Sequence, residues 1–352
     1  MKQITLDPSN KVPPTRDHKD FPSHLPDAKE VKVSPKSTGG EDASLFFVGT
    51  ATTIIEWEGI RLLTDPNFLH AGDHVHLGPG VTSTRVTNPA IDLHQVPHID
   101  AILLSHYHAD HFDQEVEAAL RRSIPIVTTP HAHEHLTSKT DGEAFTNVHA
   151  LDFFDSLVMN IKPSSSEGEE EEGSDSKKTR KPGIKVTGMP GKHVPPGPLA
   201  AANDLLGAVP PTNGWMLELG YFETSATEGR FECGYRIYIS GDTLMVPELK
   251  EIPERYKGQN IDLMLVHLGG TTIPSPKLPL LMVTMDAVQG VQLMRLIDPD
   301  VTIPIHYDDY EAFLSPLSDF KKAVEEAGLA DKIVYLDRSD QYNFKVKQGA
   351  KA

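Results

Sequence analysis

Ser105-His106-Tyr107-His108-Ala109-Asp110-His111 sets metal-capable side chains at 106, 108, 110 and 111, directly after the apolar run of HIDAILLSH (98–106). A continuous apolar run of that length reads as a strand buried on both faces. Side chains alternate across a sheet, but where a strand ends and the chain turns they can converge on one point. Imidazole and carboxylate groups suit Zn, Mn, Fe or Co, and no thiolate is at hand to bias the choice. A chance cluster on a solvated loop is the bland alternative, and the buried strand in front of it argues against that.

The surrounding sequence alternates strands with helices. Downstream, DQEVEAALRR (113–122) reads as a helix and IPIVTTP (124–130) as another buried strand. Upstream, SLFFVGTAT (44–52) and TTIIEWEG (52–59) read as strands, with Glu58-Gly59 turning into IRLLTDP (60–66). The second half repeats this grammar. VMNIKP, GIKVTGMPG, WMLELGYFE, YRIYISGDT, IDLMLVHLGG, VTIPIHY and IVYLDR are expected strands, the third and fourth as an antiparallel pair. Thr284 is expected to cap a helix running to about Ile297, with Asp286 in its first turn. Ser315-Pro316 should open a last helix with Leu317, Phe320, Val324 and Ala327 inward, closed by Gly328. This alternation predicts an α/β layered core, and two similar halves suit a four-layer αβ/βα sandwich. Residues 1–43, rich in Pro, Lys, Asp and Ser, are expected to form an extended or disordered N-terminal arm. Residues 44–345 then form a single domain, interrupted at 164–182 by a solvated acidic loop.

The chain of 352 residues carries 33 Lys and Arg against 50 Asp and Glu, a formal charge of −17. The 164–182 loop contributes only a small part of it, so the body itself is acidic. A protein that grips phosphate backbones shows the opposite balance, which disfavours nucleic acid as a partner. No apolar stretch approaches the roughly 20 residues of a membrane-spanning helix. The N-terminus lacks the apolar core of a secretory signal, and a cytoplasmic location is the default expectation. With Cys233 as the only cysteine, an intramolecular disulfide is impossible.

HYHADH resembles the signature of the metallo-β-lactamase superfamily, and other landmarks occur in that family's order. They are Asp65 in LLTDP, His193 in MPGKH, Asp242 in ISGDT and His306 in IPIHY. The resemblance spans roughly 44–340. Within the superfamily, LVHLGG, MDAVQGVQL and IPIHYDD are similar to the branch containing L-ascorbate-6-phosphate lactonase and N-acyl-phosphatidylethanolamine phospholipase D. The resemblance implies the metallo-β-lactamase fold and two divalent metal ions, zinc first, with Mn, Fe or Co as alternatives. It places His106, His108 and His193 on one ion, Asp110, His111 and His306 on the other, and Asp242 between them. Asp65 would orient ligands. It further implies a hydrolase in which hydroxide shared by the two cations attacks a small ester, a lactone in first place. Phosphodiester cleavage of a phospholipase-D kind is the alternative. An RNA-processing nuclease, which conflicts with the charge, and a non-catalytic binding module rank below.

The remaining candidates divide between chemistry and structure. His267, ending a buried strand, is read as either a proton donor to the leaving group, alongside Asp110, or the partner of a backbone carbonyl. His131, His133 and His135 invite a second metal site. With 131 and 135 on one helix face and 133 off it, they are expected as polar helix residues, His131 alone being able to reach the mouth of the pocket. His70, His74 and His76 fall in a Gly-rich loop that either borders the pocket or is plain solvated surface. Tyr307, Asp308 and Asp309 follow His306 and could help orient it, with ordinary loop chemistry the preferred reading for Asp309. Trp215 reads as core. Cys233 has no feature of a nucleophile.

Overall fold

The computed structural model describes residues 2–348, apart from 18–19, 79–80, 163–179, 196, 199–202, 204–208, 224–229 and 276–277. Its strands are β1 (Lys2–Leu6), β2 (Val31–Val33), β3 (Ala43–Gly49), β4 (Thr52–Trp57), β5 (Ile60–Thr64), β6 (His74–Gly78), β7 (Val81–Thr84), β8 (Ala101–Leu103), β9 (Ile126–Thr128) and β10 (Val148–Ala150). They continue with β11 (Ser156–Ile161), β12 (Arg180–Met189), β13 (Gly214–Glu223), β14 (Phe231–Ile239), β15 (Leu263–His267), β16 (Thr272–Ser275), β17 (Leu278–Met282), β18 (Val301–Ile305) and β19 (Gln341–Phe344). One large sheet has the order β1-β11-β12-β13-β14-β15-β18, the other β10-β9-β8-β5-β4-β3-β19-β2.

Period-two alternation explains how the sheets stack. On β3, Leu45 and Phe47 face the space between the sheets, while Phe46 and Val48 face outward. On β15, Leu263 and Leu265 point inward, and Met264 and Val266 outward. Both faces of each sheet are apolar, so both must be covered. Helices Gln114–Ala119 and Pro130–Thr137 cover one outer face through Val116, Ala132 and Leu136. Helices Ala287–Ile297 and Leu317–Ala327 cover the other through Leu293, Met294, Phe320 and Val324. The result is the expected four-layer αβ/βα sandwich. Between the sheets, Trp57, Leu103, Leu217, Ile237 and Ile303 form a single apolar core. Each fully buried side chain of this kind contributes about 1.5–3 kcal/mol.

Several sequence expectations need correction. The described residues of 1–43 run extended over the body, as one of the two expectations had it. They add strands that the sequence did not announce: β1 pairs with β11 at the edge of one sheet and β2 with β19 at the edge of the other. Asp286, not Thr284, caps helix Ala287–Ile297, because its carboxylate accepts the Gln289 N–H. IVYLDR forms no strand beyond an isolated bridge from Ile333 to Thr302, and the last strand is β19. Arg180, Lys181 and Pro182 belong to β12, and the rest of the expected 164–182 loop lies outside the described residues. His74 and His76 lie on the β6–β7 hairpin. Other expectations hold, including the tight turn at Glu58-Gly59, both left-handed, and the Gly328 cap.

Candidate metal centre

The direction of the strands gathers the site. β5 and β8 run parallel, as do β14, β15 and β18, while β12 is antiparallel to β13 and so shares the sense of β14. The C-terminal ends of these strands therefore lie together. Asp65 follows β5, the 106–111 loop follows β8, His193 follows β12, Asp242 follows β14, His267 ends β15 and His306 follows β18. Asp65 (φ 35°) and His306 (φ 62°) hold left-handed backbone conformations, a strain that non-glycine residues adopt chiefly where the surroundings enforce it.

Side chains distant in sequence meet at this edge. Ligand atoms of Asp110, His111, Asp242 and His306 lie within 4.8 Å of one another, as do those of His106, His193 and Asp242, and of His106, His108 and Asp110. Asp110 and Asp242 are each common to both sides. His111 Nε2 lies 3.1 Å from His306 Nε2 and 3.2 Å from Asp242 Oδ2. His108 Nδ1 lies 2.7 Å from Asp110 Oδ1, without the alignment of a hydrogen bond.

Four of the imidazoles, all but His108, are anchored from behind. His193 Nδ1–H donates to the Val283 carbonyl and His306 Nδ1–H to that of Leu268, both at 2.9 Å. His106 Nδ1 faces the Ser105 hydroxyl at 2.9 Å, and His111 Nδ1 lies 3.3 Å from Asp65 Oδ2. Such contacts fix the tautomer and leave the opposite nitrogen as a lone-pair donor. His106 Nε2, both nitrogens of His108, His193 Nε2, Asp110 Oδ1 and Asp242 Oδ1 are buried with no hydrogen-bond partner among the described residues. Burying such atoms unpaired is costly, and one or more cations among them would compensate.

The electrostatics agree. Burial would raise Asp110 and Asp242, but the surrounding imidazoles win and hold both carboxylates well below their usual range. Burial pushes His193 down to about 4 and His106 well below its ordinary value. At His111 and His306 burial is outweighed by the nearby carboxylates, and both are raised. Ionised carboxylates beside the neutral His106 and His193 suit divalent cations, and at His111 and His306 a cation would displace the proton that the carboxylates favour.

The structure supplies partners that sequence reading missed. Thr284, read as a cap, donates its hydroxyl to Asp242 Oδ2 at 3.0 Å. Ser105 gives its backbone N–H to Asp65 Oδ1 at 2.7 Å while its hydroxyl faces His106. Ser240 sits 3.3 Å from His267 Nδ1. Their one sequence signal is a small hydroxyl residue beside a motif at a strand end. His267 is fully buried, stacked on His111 at 5.9 Å between ring centroids, with Nε2 3.6 Å from Asp65 Oδ2.

Other candidates fall outside the cluster. His131 and His135 do share a helix face, their Nε2 atoms 3.2 Å apart, and His135 stacks on Tyr107. His70 pairs with Asp92 on a surface cavity of about 410 Å³. Trp215 is core, and burial pushes the Cys233 thiol up to about 12.

A β-lactamase superfamily domain model matches residues 61–307, and the chain belongs to the metallo-β-lactamase superfamily. A UPF0173 metal-dependent hydrolase of Archaeoglobus fulgidus is 25% identical over 245 residues, covering 70% of this chain and 82% of that one. A Methanopyrus kandleri relative of the same description is 22% identical over 300 residues, covering 84% and 97%. The crystal structure of an isothiocyanate hydrolase from Delia radicum gut bacteria superposes with a TM-score of 0.61 at 17% identity, covering 86% of this chain and 99% of that one. The chain is a metal-dependent hydrolase of this superfamily. No helix among the described residues is long and apolar enough to cross a membrane.

Proposed function

We propose that the chain holds two divalent cations, zinc first, and hydrolyses a small ester, foremost a lactone. His106, His108 and His193 would hold one ion, Asp110, His111 and His306 the other, and Asp242 both. The observation that carries this reading is the set of buried, unpartnered ligand atoms that converge from both sheets, with Asp242 shared between the groups. Two bound cations would supply Lewis acidity and a water ionised near neutral pH.

The chain's own residues do the rest. Asp65 orients His111 through its Oδ2 and ties the 105–111 loop to β5 through the Ser105 N–H. Thr284 holds one oxygen of Asp242. His267, sealed behind Asp65 and His111, is a positioning residue in this reading, so leaving-group protonation falls to Asp110 or to water. The −17 charge supports a small substrate over a polyanion.

The test is metal content by mass spectrometry on purified chain, with turnover on a panel of lactones, phosphodiesters and isothiocyanates. About two ions per chain and lactone turnover are expected. Turnover confined to phosphodiesters would overturn the substrate class, and a chain that takes up no ion after reconstitution would overturn the whole reading.

A further inference from the structure

We propose that Asp309 is a positioning residue for His306, acting through the backbone of Thr50, with Thr87 and Arg338 bracing its carboxylate. This deepens the proposed function, since it rests on reading His306 as a ligand.

The argument begins with the backbone. After β18 the chain reverses through His306 (φ 62°) and Asp308 (φ 56°), and it packs against Thr50 (φ 52°) at the β3–β4 turn. Residues with a Cβ populate this region sparingly, so such a loop relaxes unless tied down. The ties form a closed ring. The His306 N–H donates to the Thr50 carbonyl at 2.7 Å. The Thr50 N–H donates to Asp309 Oδ2 at 2.9 Å. Both polar groups of one backbone residue are thus gripped by the ligand loop, one beside His306 and the other three residues on.

The Asp309 carboxylate is itself fixed. Its Oδ1 accepts from the Thr87 hydroxyl and from Arg338, and Arg338 Nη2 donates to the same Thr87 hydroxyl at 3.0 Å. The Val86 N–H donates to the Asp309 carbonyl at 2.8 Å. Asp309 and Thr50 are buried, and a buried carboxylate persists only with such compensation. Gly49 (φ 139°) keeps the brace close, since a Cβ there would lie 3.1 Å from Arg338 Nε. The Leu268 carbonyl sets the tautomer of the His306 ring. What sets the position of its Cα is the Thr50–Asp309 clamp.

The experiment titrates the metal-free full-length chain with Zn²⁺ against a chromophoric chelator, beside thermal melts of the metal-free protein. It compares wild type with Asp309→Ala, Asp309→Asn, Thr87→Val and His306→Ala. Asp309→Ala should weaken by about 10–100-fold the same ion that His306→Ala loses, and leave the other unchanged. Asp309→Asn keeps an oxygen for the Thr50 N–H and should recover part of that affinity. Equal weakening of both ions, tracking a lowered melting temperature, would overturn the proposal in favour of a merely structural role. So would unchanged zinc affinity in Asp309→Ala while His306→Ala loses an ion. If His306→Ala loses no ion, the ligand assignment itself fails. Should Asp309→Ala not fold, Thr87→Val carries the test: selective weakening of the same ion supports the clamp, and unchanged affinity overturns it.

Discussion

The two halves of the sandwich build their shares of the metal centre in different ways. The N-terminal half delivers His106, His108, Asp110 and His111 from one loop after β8, with Asp65 behind them. The C-terminal half delivers His193, Asp242 and His306 from the ends of three separate strands, each held by a partner on another segment. In the first half a short backbone excursion sets ligand spacing. In the second, the registers of β12, β14 and β18 set it, so the site is only as exact as the sheet. A loop tolerates some change in the strands beneath it, whereas ligands on separate strands move with any slip in register.

The strongest test of that contrast is the residue both ligand groups share. Asp242→Ala should abolish retention of both ions and lower turnover by more than about 100-fold, beyond the range for loss of a supporting contact. Metal content and turnover of the same preparation check it. Retention of both ions would mean that the N-terminal loop suffices and that the halves are not joined through Asp242. Next in size is a matched pair, His106→Ala from the loop and His193→Ala from β12. If each serves the same ion, metal content should fall from about two per chain to about one in both variants. Loss of different ions would break the grouping.

The same contrast explains how much was legible beforehand. The 106–111 loop announces itself, because an apolar run followed by closely spaced His and Asp has few other readings. His193, Asp242 and His306 carry no such local pattern and were reached through resemblance to a family. The layered core was readable from the alternation of strands with helices and from the buried runs that form β8 and β15. The edge strands were not. LysGlnIleThrLeu at 2–6 is short and mostly exposed, and only pairing with β11 makes it a strand. Thr284 was misread because a hydroxyl three residues before a helix looks like a cap, and only the fold brings Asp242 beside it.

Thr284→Val follows in magnitude. It removes a hydroxyl while keeping the branched shape, and it should weaken zinc binding by about 10–100-fold without emptying the site, measured by chelator competition. The matching change behind the loop is Asp65→Asn, which cannot hold His111 and the Ser105 N–H with the same charge. If loop ligands need less support, Asp65→Asn should cost less affinity than Thr284→Val. The reverse order would show that the loop depends on its backing more than the strand ends do.

The smallest effect concerns the loop's exit. Asp113 caps helix Gln114–Ala119 through the Val116 N–H and also accepts the Phe68 N–H. Burial nevertheless raises its pKa to about 6 from an ordinary 3.8. For a carboxyl raised in the folded state, the fold binds the proton more tightly than the unfolded chain does. Its contribution is therefore full below about pH 4 and is lost as pH rises to about 6, because the slope of stability follows the difference in bound protons. A shift of this size corresponds to roughly 3 kcal/mol. In chelator-treated protein, the stability of wild type minus that of Asp113→Asn should fall by that order across this window. Titrations common to both, those of the ligand histidines included, cancel in the difference. A flat difference curve would show that the two backbone N–H groups fully offset burial, and that the loop's exit, like its ligands, is fixed by local bonds alone.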